Sequence, residues 1–217
     1  MARRRLTAVL ISGRGSNLGA LLAAARDPGY PADIGLVVSN RPEAPGLDIA
    51  RQAGVTAVVI DHRDFARRAE FDAALDQSLR HHGIELVACA GFMRILTAAF
   101  LSAWQGRVIN IHPSLLPLFK GLGTHARALA EGVRVHGCTV HFVVPEIDSG
   151  PIIAQAAVAV LSGDSADALA ARVLEAEHRL YPMALALVAS GRARLEGGKV
   201  VVAAASDATA RLFSPSA

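Results

Sequence analysis

The first half of the chain alternates short, nearly continuous apolar runs with longer segments in which apolar residues recur every three or four positions. Continuous runs are typical of strands covered on both faces, and the wider spacing is typical of amphipathic helices. Strands are therefore predicted at 6–11, 33–39, 56–60 and 85–89, and helices at 18–26, 44–53 and 65–82. This alternation predicts a parallel, doubly wound sheet.

The second half of the chain follows a different pattern. An apolar run that closes at 107–109 predicts a fifth strand, and a short helix is predicted at 124–131. Two apolar runs at 137–144 and 151–160 have only a loop between them, which predicts an antiparallel pair. A long helix at 165–190 and a terminal hairpin at 192–195 and 199–202 complete the prediction. The fold class is therefore α/β, with a Rossmann-like, mostly parallel sheet in the N-terminal half and an antiparallel extension in the C-terminal half.

The length of 217 residues and the hydrophobic fraction of 52% predict one domain with a sizeable core. We assign that domain to 1–203 and expect 204–217, which is rich in Ala and Ser, to be a flexible tail. No apolar run approaches the roughly 18 residues of a membrane span. The basic cluster at 3–5 precedes a strand rather than the apolar region of a signal peptide, so we expect no targeting segment. Cys89 and Cys138 lie inside apolar stretches, which indicates buried free thiols and a cytoplasmic protein.

The net charge of +3 is mildly basic, with a sequence pI of about 9.3. The basic residues do not form a long run with interleaved aromatics, so this charge indicates small anionic ligands rather than nucleic acid. No spacing of His, Cys and Asp resembles a metal site. No Gly-x-Ser-x-Gly nucleophile elbow occurs either.

The segment 110–117 carries the most informative residues of the chain. Its two prolines interrupt both strand and helix, so Asn110 and His112 are predicted on a stiff turn after the fifth strand. That edge of an α/β sheet is where ligands bind. Both side chains can donate hydrogen bonds to an oxygen that gains negative charge. The alternative is a structural turn with a capping Asn and a surface His.

A glycine loop at 13–17 joins the first predicted strand to the first helix. Glycines let backbone amides approach a ligand closely, and a helix N-terminus favours an anion. The side chains of Ser16 and Asn17 could cap the helix and also bind a phosphate. The dinucleotide fingerprint needs a third glycine where Leu18 stands, and the Walker motif is absent. The loop therefore indicates a site for a single phosphate group, or else an ordinary tight turn.

An acidic loop at 145–151 connects the two antiparallel strands. Asp148 could project across the sheet edge, and beside His112 it would favour the imidazolium and orient the ring. The alternative is a solvated turn residue. His141 falls on a predicted strand, where a histidine is more often a core residue than a catalyst.

Six segments together resemble the phosphoribosylglycinamide formyltransferase family, folate-dependent enzymes of purine biosynthesis. The segments are LISGRGSNL (10–18), AGFMRIL (90–96), NIHPSLLP (110–117), GCTVHFV (137–143), DSGPII (148–153) and EHRLYP (177–182). They occur in family order and span about 6–195. The combination is highly specific, although no single segment is.

The resemblance implies that a formyl group passes from 10-formyltetrahydrofolate, the co-substrate, to the amine of glycinamide ribonucleotide in de novo purine biosynthesis. The amine would attack directly, through a tetrahedral intermediate and without a metal. The implied catalytic residues are Asn110, His112 and Asp148. The implied ribonucleotide-binding residues are Gly15, Ser16, Asn17 and Glu177. The implied folate-binding residues are Arg68, Met93, Arg94, Ile95, Leu96, Asn110, Val144, Pro145, Glu146, Ile147 and Asp148. The expected partners are these small molecules, with no nucleic acid and no membrane; the oligomeric state stays open.

A few positions depart from the family pattern. Gly123 stands where some members carry a His after the catalytic turn. Arg14 stands where others often have Asn, and Ser149 replaces a Gly or Ala. The three implied catalytic residues are unaffected.

Three other functions fit parts of the sequence. Formyltetrahydrofolate hydrolases look similar around the turn, but they usually have an added regulatory domain and a His where this chain has Pro113. Methionyl-tRNA formyltransferase needs a substantial C-terminal tRNA-binding domain, for which we expect no room in this chain. A non-catalytic ribonucleotide-binding module has no need of Asn110, His112 and Asp148 together.

Overall fold

The computed structural model of the chain describes residues 3–203, and the predicted tail at 204–217 lies outside them. The strands are β1 (Arg5–Ile11), β2 (Ala32–Ser39), β3 (Thr56–Val59), β4 (Leu86–Cys89), β5 (Val108–His112), β6 (Val135–Phe142), β7 (Ile152–Ala159), β8 (Ala193–Glu196) and β9 (Lys199–Val202). The helices are α1 (Ser16–Ala25), α2 (Gly46–Gln52), α3 (Arg68–His81), α4 (Ala98–Ala103), α5 (Thr124–Ala130) and α6 (Ala166–Ala189). Every element predicted from the sequence is present.

Seven strands form one sheet in the order β3-β2-β1-β4-β5-β6-β7. The pairs among β1 to β5 are parallel, whereas β6 runs antiparallel to both β5 and β7. The predicted fold class is thus confirmed. The sheet grows from β1 to one side through β2 and β3, and then to the other side through β4 and β5. Open α/β sheets bind ligands at such a switch point.

Helices cover both faces of the sheet, which explains the continuous apolar runs. In β1, Val9 and Ile11 face a core shared with α1, α2, α5 and α6. The alternate residues Ala8 and Leu10 face a second core shared with α3 and α4. Because successive side chains of a strand point to opposite faces, a strand buried on both faces needs apolar residues at every position.

The helix predicted at 65–82 begins later than expected, at Arg68. A short 3-10 helix occupies His62–Asp64 before it. The carboxylate of Glu70 accepts a hydrogen bond from the Arg67 N–H at 3.2 Å, which defines the first turn. One helix, α4, was not predicted. Its start is capped by the Thr97 hydroxyl, which accepts from the Phe100 N–H at 3.3 Å, but it has only six residues, too few to show a period.

Strand β5 continues to His112, three residues past the predicted end at Ile109. Asn110 and His112 therefore lie in the strand rather than on the turn after it. They pair with His141 and Thr139 of β6. Pro113 removes only its own N–H from the ladder, so the strand can run up to it.

The small second sheet is the predicted terminal hairpin of β8 and β9. Its two-residue turn, Gly197-Gly198, has positive φ at both positions, 55° and 77°, the conformation that favours glycine in tight hairpins. Among residues 3–203, no helix has the length and apolar character needed to cross a membrane.

Candidate active site

A cavity of about 1050 Å³ opens at the carboxyl ends of the parallel strands. Its wall combines the loop after β1, the loop after β4, the end of β5, the loop before β7, and one face of α6. One residue from each of these five parts of the wall is Arg14, Met93, His112, Asp148 and Glu177, in that order. The cavity thus occupies the switch point of the sheet, where the loops after β1 and β4 diverge.

His112 meets Asp148 on the wall of this cavity. The His112 Nδ1 lies 3.3 Å from the Asp148 Oδ2, and the two side chains are only 7% and 12% exposed. On the other side of the ring, Nε2 lies 3.0 Å from the carbonyl oxygen of Phe119. Asn110 stands two residues before His112 on the same face of β5, so the three implied catalytic residues share one wall.

Asp148 is fixed by its backbone as well as by its partners. Its φ of 48° lies in the left-handed region, which Asp tolerates better than most residues but which still requires support from the surroundings. Its Oδ2 accepts a hydrogen bond from the Gly121 N–H at 2.8 Å. The carboxylate is therefore positioned toward His112 and His141 rather than toward solvent.

His141, which was expected to be a core residue, also borders this site. Its Nε2 lies 3.3 Å from the Asn110 Nδ2 and 3.8 Å from the Asp148 Oδ1. Burial lowers its pKa, although the carbonyl of Phe142 and the charge of Asp148 act in the opposite direction. In the neutral ring, Nδ1–H donates to the Phe142 carbonyl at 2.9 Å. Nε2 then accepts a hydrogen bond from the Asn110 Nδ2, and this contact fixes the orientation of the Asn110 amide.

The glycine loop forms the N-terminal end of α1. Gly15 occupies the N-cap position with φ 78°, and no side chain caps the helix. The expectation that Ser16 or Asn17 caps it is therefore wrong, because the helix already begins at Ser16. A Cβ on Gly15 would also lie 2.7 Å from the Cα of Gly46. The first-turn N–H groups are left for another acceptor.

Asn17 and Glu177 are in contact on the wall of the large cavity. The Asn17 Nδ2 donates to the Glu177 Oε2 at 2.7 Å, and both residues are buried. Burial raises the pKa of the Glu177 carboxyl, and the hydrogen bond from Asn17 acts in the opposite direction. The amide of Asn17 is therefore tied to α6 rather than to the end of its own helix.

A smaller cavity of about 330 Å³ adjoins the glycine loop. The two cavities are adjacent, because the same residues line both of them: Arg14, Ser16, Asn17, Gly91 and Met93. Gly15 and the exposed Arg41 line this smaller space. It therefore combines open helix N–H groups with two guanidinium groups, a setting that suits an anion.

Most of the implied folate-binding residues line the large cavity. Those that do are Met93, Arg94, Ile95, Leu96, Asn110, Val144, Pro145, Ile147 and Asp148. Met93 and Ile95 are 62% and 44% exposed, whereas Leu96 is 5% exposed and also belongs to the core. Arg68 and Glu146 are exposed and lie outside the lining residues of both cavities.

The model of a protein family described as formyl transferase matches residues 5–185. The chain belongs to the formyl transferase family. It is 44% identical over 187 residues to phosphoribosylglycinamide formyltransferase of Escherichia coli (strain K12), a match that covers 86% of this chain and 88% of that protein. The resemblance inferred from the sequence motifs is confirmed.

Other formyl transferase relatives differ greatly in length. The trifunctional purine biosynthetic protein adenosine-3 of Gallus gallus is 52% identical over 194 residues, a match that covers 89% of this chain and 19% of that protein. The chain thus spans about a fifth of that relative. Among solved structures, glycinamide ribonucleotide transformylase 1 from Symbiobacterium toebii aligns with a TM-score of 0.91 at 46% identity, covering 94% of this chain and 96% of that one.

A histidine pair lies beside the large cavity, and of the two only His125 lines it. The rings of His125 and His136 meet edge to face with centroids 5.4 Å apart, and Phe119 meets His136 in the same way at 5.7 Å. Burial, and then the nearby His125, lower the pKa of His136 to about 4; the Pro113 backbone acts in the opposite direction. The two histidines are eleven positions apart on different elements (α5 and β6), so no local spacing signals their contact.

Neither cysteine supplies a reactive thiolate. Cys89 and Cys138 are buried and unpaired. Burial raises the pKa of each thiol to about 12, so both stay protonated near neutral pH. Within residues 3–203, no group of three or more His, Cys, Asp and Glu side chains is arranged to hold a metal ion.

Proposed function

We propose that this chain transfers the formyl group of 10-formyltetrahydrofolate to the amine of 5-phosphoribosylglycinamide in de novo purine biosynthesis. The observation that carries the proposal is the meeting of Asn110, His112 and Asp148 on one cavity wall, with the His112 Nδ1 3.3 Å from the Asp148 Oδ2. A formyl transferase needs donors for a developing oxyanion at this position. Asn110 and protonated His112 supply them.

The ribonucleotide would bind at the glycine loop. The uncapped start of α1 presents its first N–H groups to the phosphate, and Arg14 adds positive charge at the rim of both cavities. Glu177, held by Asn17, lies on the same wall and can accept hydrogen bonds from the sugar or from the glycinamide end. This arrangement suits one phosphate group rather than a dinucleotide.

The folate would bind against the loop after β4. Met93 and Ile95 are exposed apolar side chains on the cavity wall, and Leu96 backs them from the core. Such a surface suits the flat face of a pterin, while backbone groups of Val144–Asp148 suit its amide-like rim. The apolar wall and the polar rim converge on Asn110, where the formyl carbon would lie.

The proposed reaction needs no covalent enzyme intermediate. The substrate amine attacks the formyl carbon, and the carbonyl oxygen becomes an oxyanion that accepts hydrogen bonds from Asn110 and His112. The attacking nitrogen loses a proton, folate N10 gains one, and the C–N10 bond breaks as the carbonyl re-forms. The carboxylate of Asp148 stabilises the imidazolium and orients the water through which the proton moves.

A formyl-transfer assay with and without glycinamide ribonucleotide tests this function. We expect formylated ribonucleotide and tetrahydrofolate in equal amounts when both substrates are present. Formate release that does not depend on the ribonucleotide would instead identify a hydrolase. Binding of the ribonucleotide without turnover would identify a non-catalytic module. Either outcome would overturn the proposal.

We further propose that 1–203 forms a single catalytic domain. The family match at 5–185 and the sheet that runs from β1 to β7 support this division. The expected tail at 204–217 and the cytoplasmic location both stay predictions.

A further inference from the structure

A backbone carbonyl holds His112 on the side of the ring opposite Asp148. The His112 Nε2 lies 3.0 Å from the oxygen of Phe119. A carbonyl oxygen only accepts hydrogen bonds, so Nε2 must carry a proton in the neutral ring as well as in the imidazolium. A flipped ring would place carbon against this oxygen and forfeit the hydrogen bond of a side chain that is only 7% exposed.

This contact leaves Nδ1 as the ring nitrogen that faces Asp148. Nδ1 is 3.3 Å from the Asp148 Oδ2, close enough for charge stabilisation. When Nδ1 is unprotonated, its lone pair faces a carboxylate, and when it is protonated, the two groups attract. Asp148 lines the cavity, so the Nδ1 edge is the one on the side of the reacting groups.

The Phe119 carbonyl points at His112 because of an unusual backbone conformation. Phe119 has φ 54°, in the left-handed region, where a bulky L-residue is strained. Its ring is held from two sides, by His136 at 5.7 Å and by the Arg127 guanidinium at 5.6 Å. These contacts keep the strained residue in place.

The neighbouring backbone is anchored as well. The Ser114 hydroxyl donates to the Leu118 carbonyl at 2.7 Å, and Arg127 donates to the Lys120 carbonyl at 2.7 Å. The Gly121 N–H donates to the Asp148 Oδ2 at 2.8 Å. The segment 118–121 therefore contacts both His112 and Asp148 through backbone groups alone, and it sets their relative position.

We propose that Phe119 is a positioning residue: its left-handed backbone directs a carbonyl at Nε2, fixes the Nε2–H tautomer of His112, and makes Nδ1 the nitrogen that donates to the oxyanion. The role in catalysis rests on the proposed formyl transfer. The assignment of the tautomer does not rest on that function, so the tautomer and the proposed function can be disproved separately.

The tautomer can be read from the wild-type protein by NMR. Two-bond ¹H–¹⁵N correlation spectra of uniformly ¹⁵N-labelled protein distinguish protonated from unprotonated ring nitrogens, and the spectrum of the His112→Gln variant identifies the His112 signals among the eight histidines. At alkaline pH we expect a protonated Nε2 and an unprotonated Nδ1. A neutral ring with its proton on Nδ1 would overturn the proposal, whatever the enzymatic activity.

Two substitutions separate the backbone of Phe119 from its ring. Phe119→Gly and Phe119→Val both remove the ring, but only Gly adopts a positive φ without strain. We expect the Gly variant to keep the wild-type tautomer. The Val variant should show a mixture of tautomers and a kcat about tenfold below that of the Gly variant, since a left-handed β-branched residue is disfavoured. KM for both substrates should change little.

A matched pair at Phe65 controls for loss of an aromatic ring. Phe65 has φ −118°, an extended conformation that Val adopts readily, and it lies outside the residues that line either cavity. Phe65→Gly and Phe65→Val should leave the His112 signals unchanged. Equal tautomer patterns and equal kcat for the two Phe119 variants would overturn the backbone role. If Phe119→Val does not fold, the wild-type and Phe119→Gly spectra still show which ring nitrogen of neutral His112 carries the proton.

Discussion

At the scale of single residues, chemistry depends on contacts that are each a few ångströms long. His112 touches Asp148 on one side and a carbonyl on the other, while Asn110 is oriented by His141. A group that is almost fully buried and held from both sides loses little freedom when the substrate arrives. The site is therefore organised before the ligands bind.

His112→Ala removes the proposed charged donor to the oxyanion. Such donors contribute about 10²–10³ in rate, so we expect kcat to fall by at least roughly 10² while both substrates still bind. Steady-state kinetics and calorimetry on the purified variant measure this. His81→Ala, at the exposed end of α3, is the control and should behave as wild type. Near-normal turnover in the His112 variant would remove His112 from the mechanism.

Asp148→Asn keeps the size of the side chain and deletes its charge. Asn also tolerates the left-handed backbone and can still accept from the Gly121 N–H, so the melting temperature should stay near that of wild type. A charge contact at this distance contributes on the order of 1–4 kcal/mol, and turnover should accordingly drop roughly tenfold or more. Unchanged turnover in a well-folded variant would reduce Asp148 to a turn residue.

At the scale of elements, loops at strand ends carry the two proposed binding surfaces, one for the ribonucleotide and one for the folate. The glycine loop depends on the exposed N–H groups at the start of α1, and the loop after β4 depends on apolar side chains. These surfaces meet because β1 and β4 are neighbours in the sheet although they are far apart in the sequence. Each can be perturbed separately.

Gly15→Val should weaken ribonucleotide binding much more than folate binding. The new Cβ would collide with the Cα of Gly46, and φ 78° is unfavourable for a branched residue. Calorimetric titration with each ligand measures the two affinities. Gly19→Ala is the control, because its Cβ meets nothing within 4 Å and alanine favours the helix. Equal losses for both ligands would argue against a phosphate site here.

Ile95→Asp and Leu96→Asp distinguish a binding wall from a core. Ile95 is 44% exposed, so its variant should melt normally and raise KM for the folate by about tenfold or more. Leu96 is 5% exposed, so Leu96→Asp should instead lower the melting temperature, because the substitution would bury a charge. A normal folate KM in the stable Ile95 variant would place the folate elsewhere.

At the scale of the whole molecule, buried ionisable groups link stability to pH. His136 has a pKa of about 4 in the folded protein, against about 6.5 for an unfolded histidine. Between these values the unfolded chain binds more protons, so the free energy of unfolding should fall as pH decreases from about 6.5 to 4. Above pH 6.5 the contribution is fully present.

The size of this effect is on the order of 2–3 kcal/mol. Glu177 has the opposite effect on the free energy of unfolding. Burial raises the pKa of its carboxyl, so above the ordinary carboxyl pKa the folded protein binds more protons than the unfolded chain, and this contribution decreases as pH rises. Denaturant unfolding at several pH values, on wild type and on His136→Phe, isolates the histidine. The variant should show a flatter dependence between pH 4 and 6.5; an identical slope would contradict the assignment.

The sequence by itself determined the elements, the sheet class and the residue types of the site. Apolar periodicity is a local property, so β1 to β5 and their helices could be predicted within a few residues. Prolines and glycines also act locally, so they indicated where the loops lie. The motifs taken together indicated the family. The missed helix α4 and the late start of α3 depend on single caps, at Thr97 and Glu70, that leave no periodic signal.

The tertiary structure decided which of those residues meet. Asn17 contacts Glu177 across 160 positions of sequence, and Asn110 lies opposite His141 only because β5 and β6 pair in that register. Phe119, His125 and His136 likewise come together from a loop, a helix and a strand, whereas Arg68 remains outside both cavities. Such contacts depend on how whole elements pack, and no local pattern of residues encodes a distance between elements.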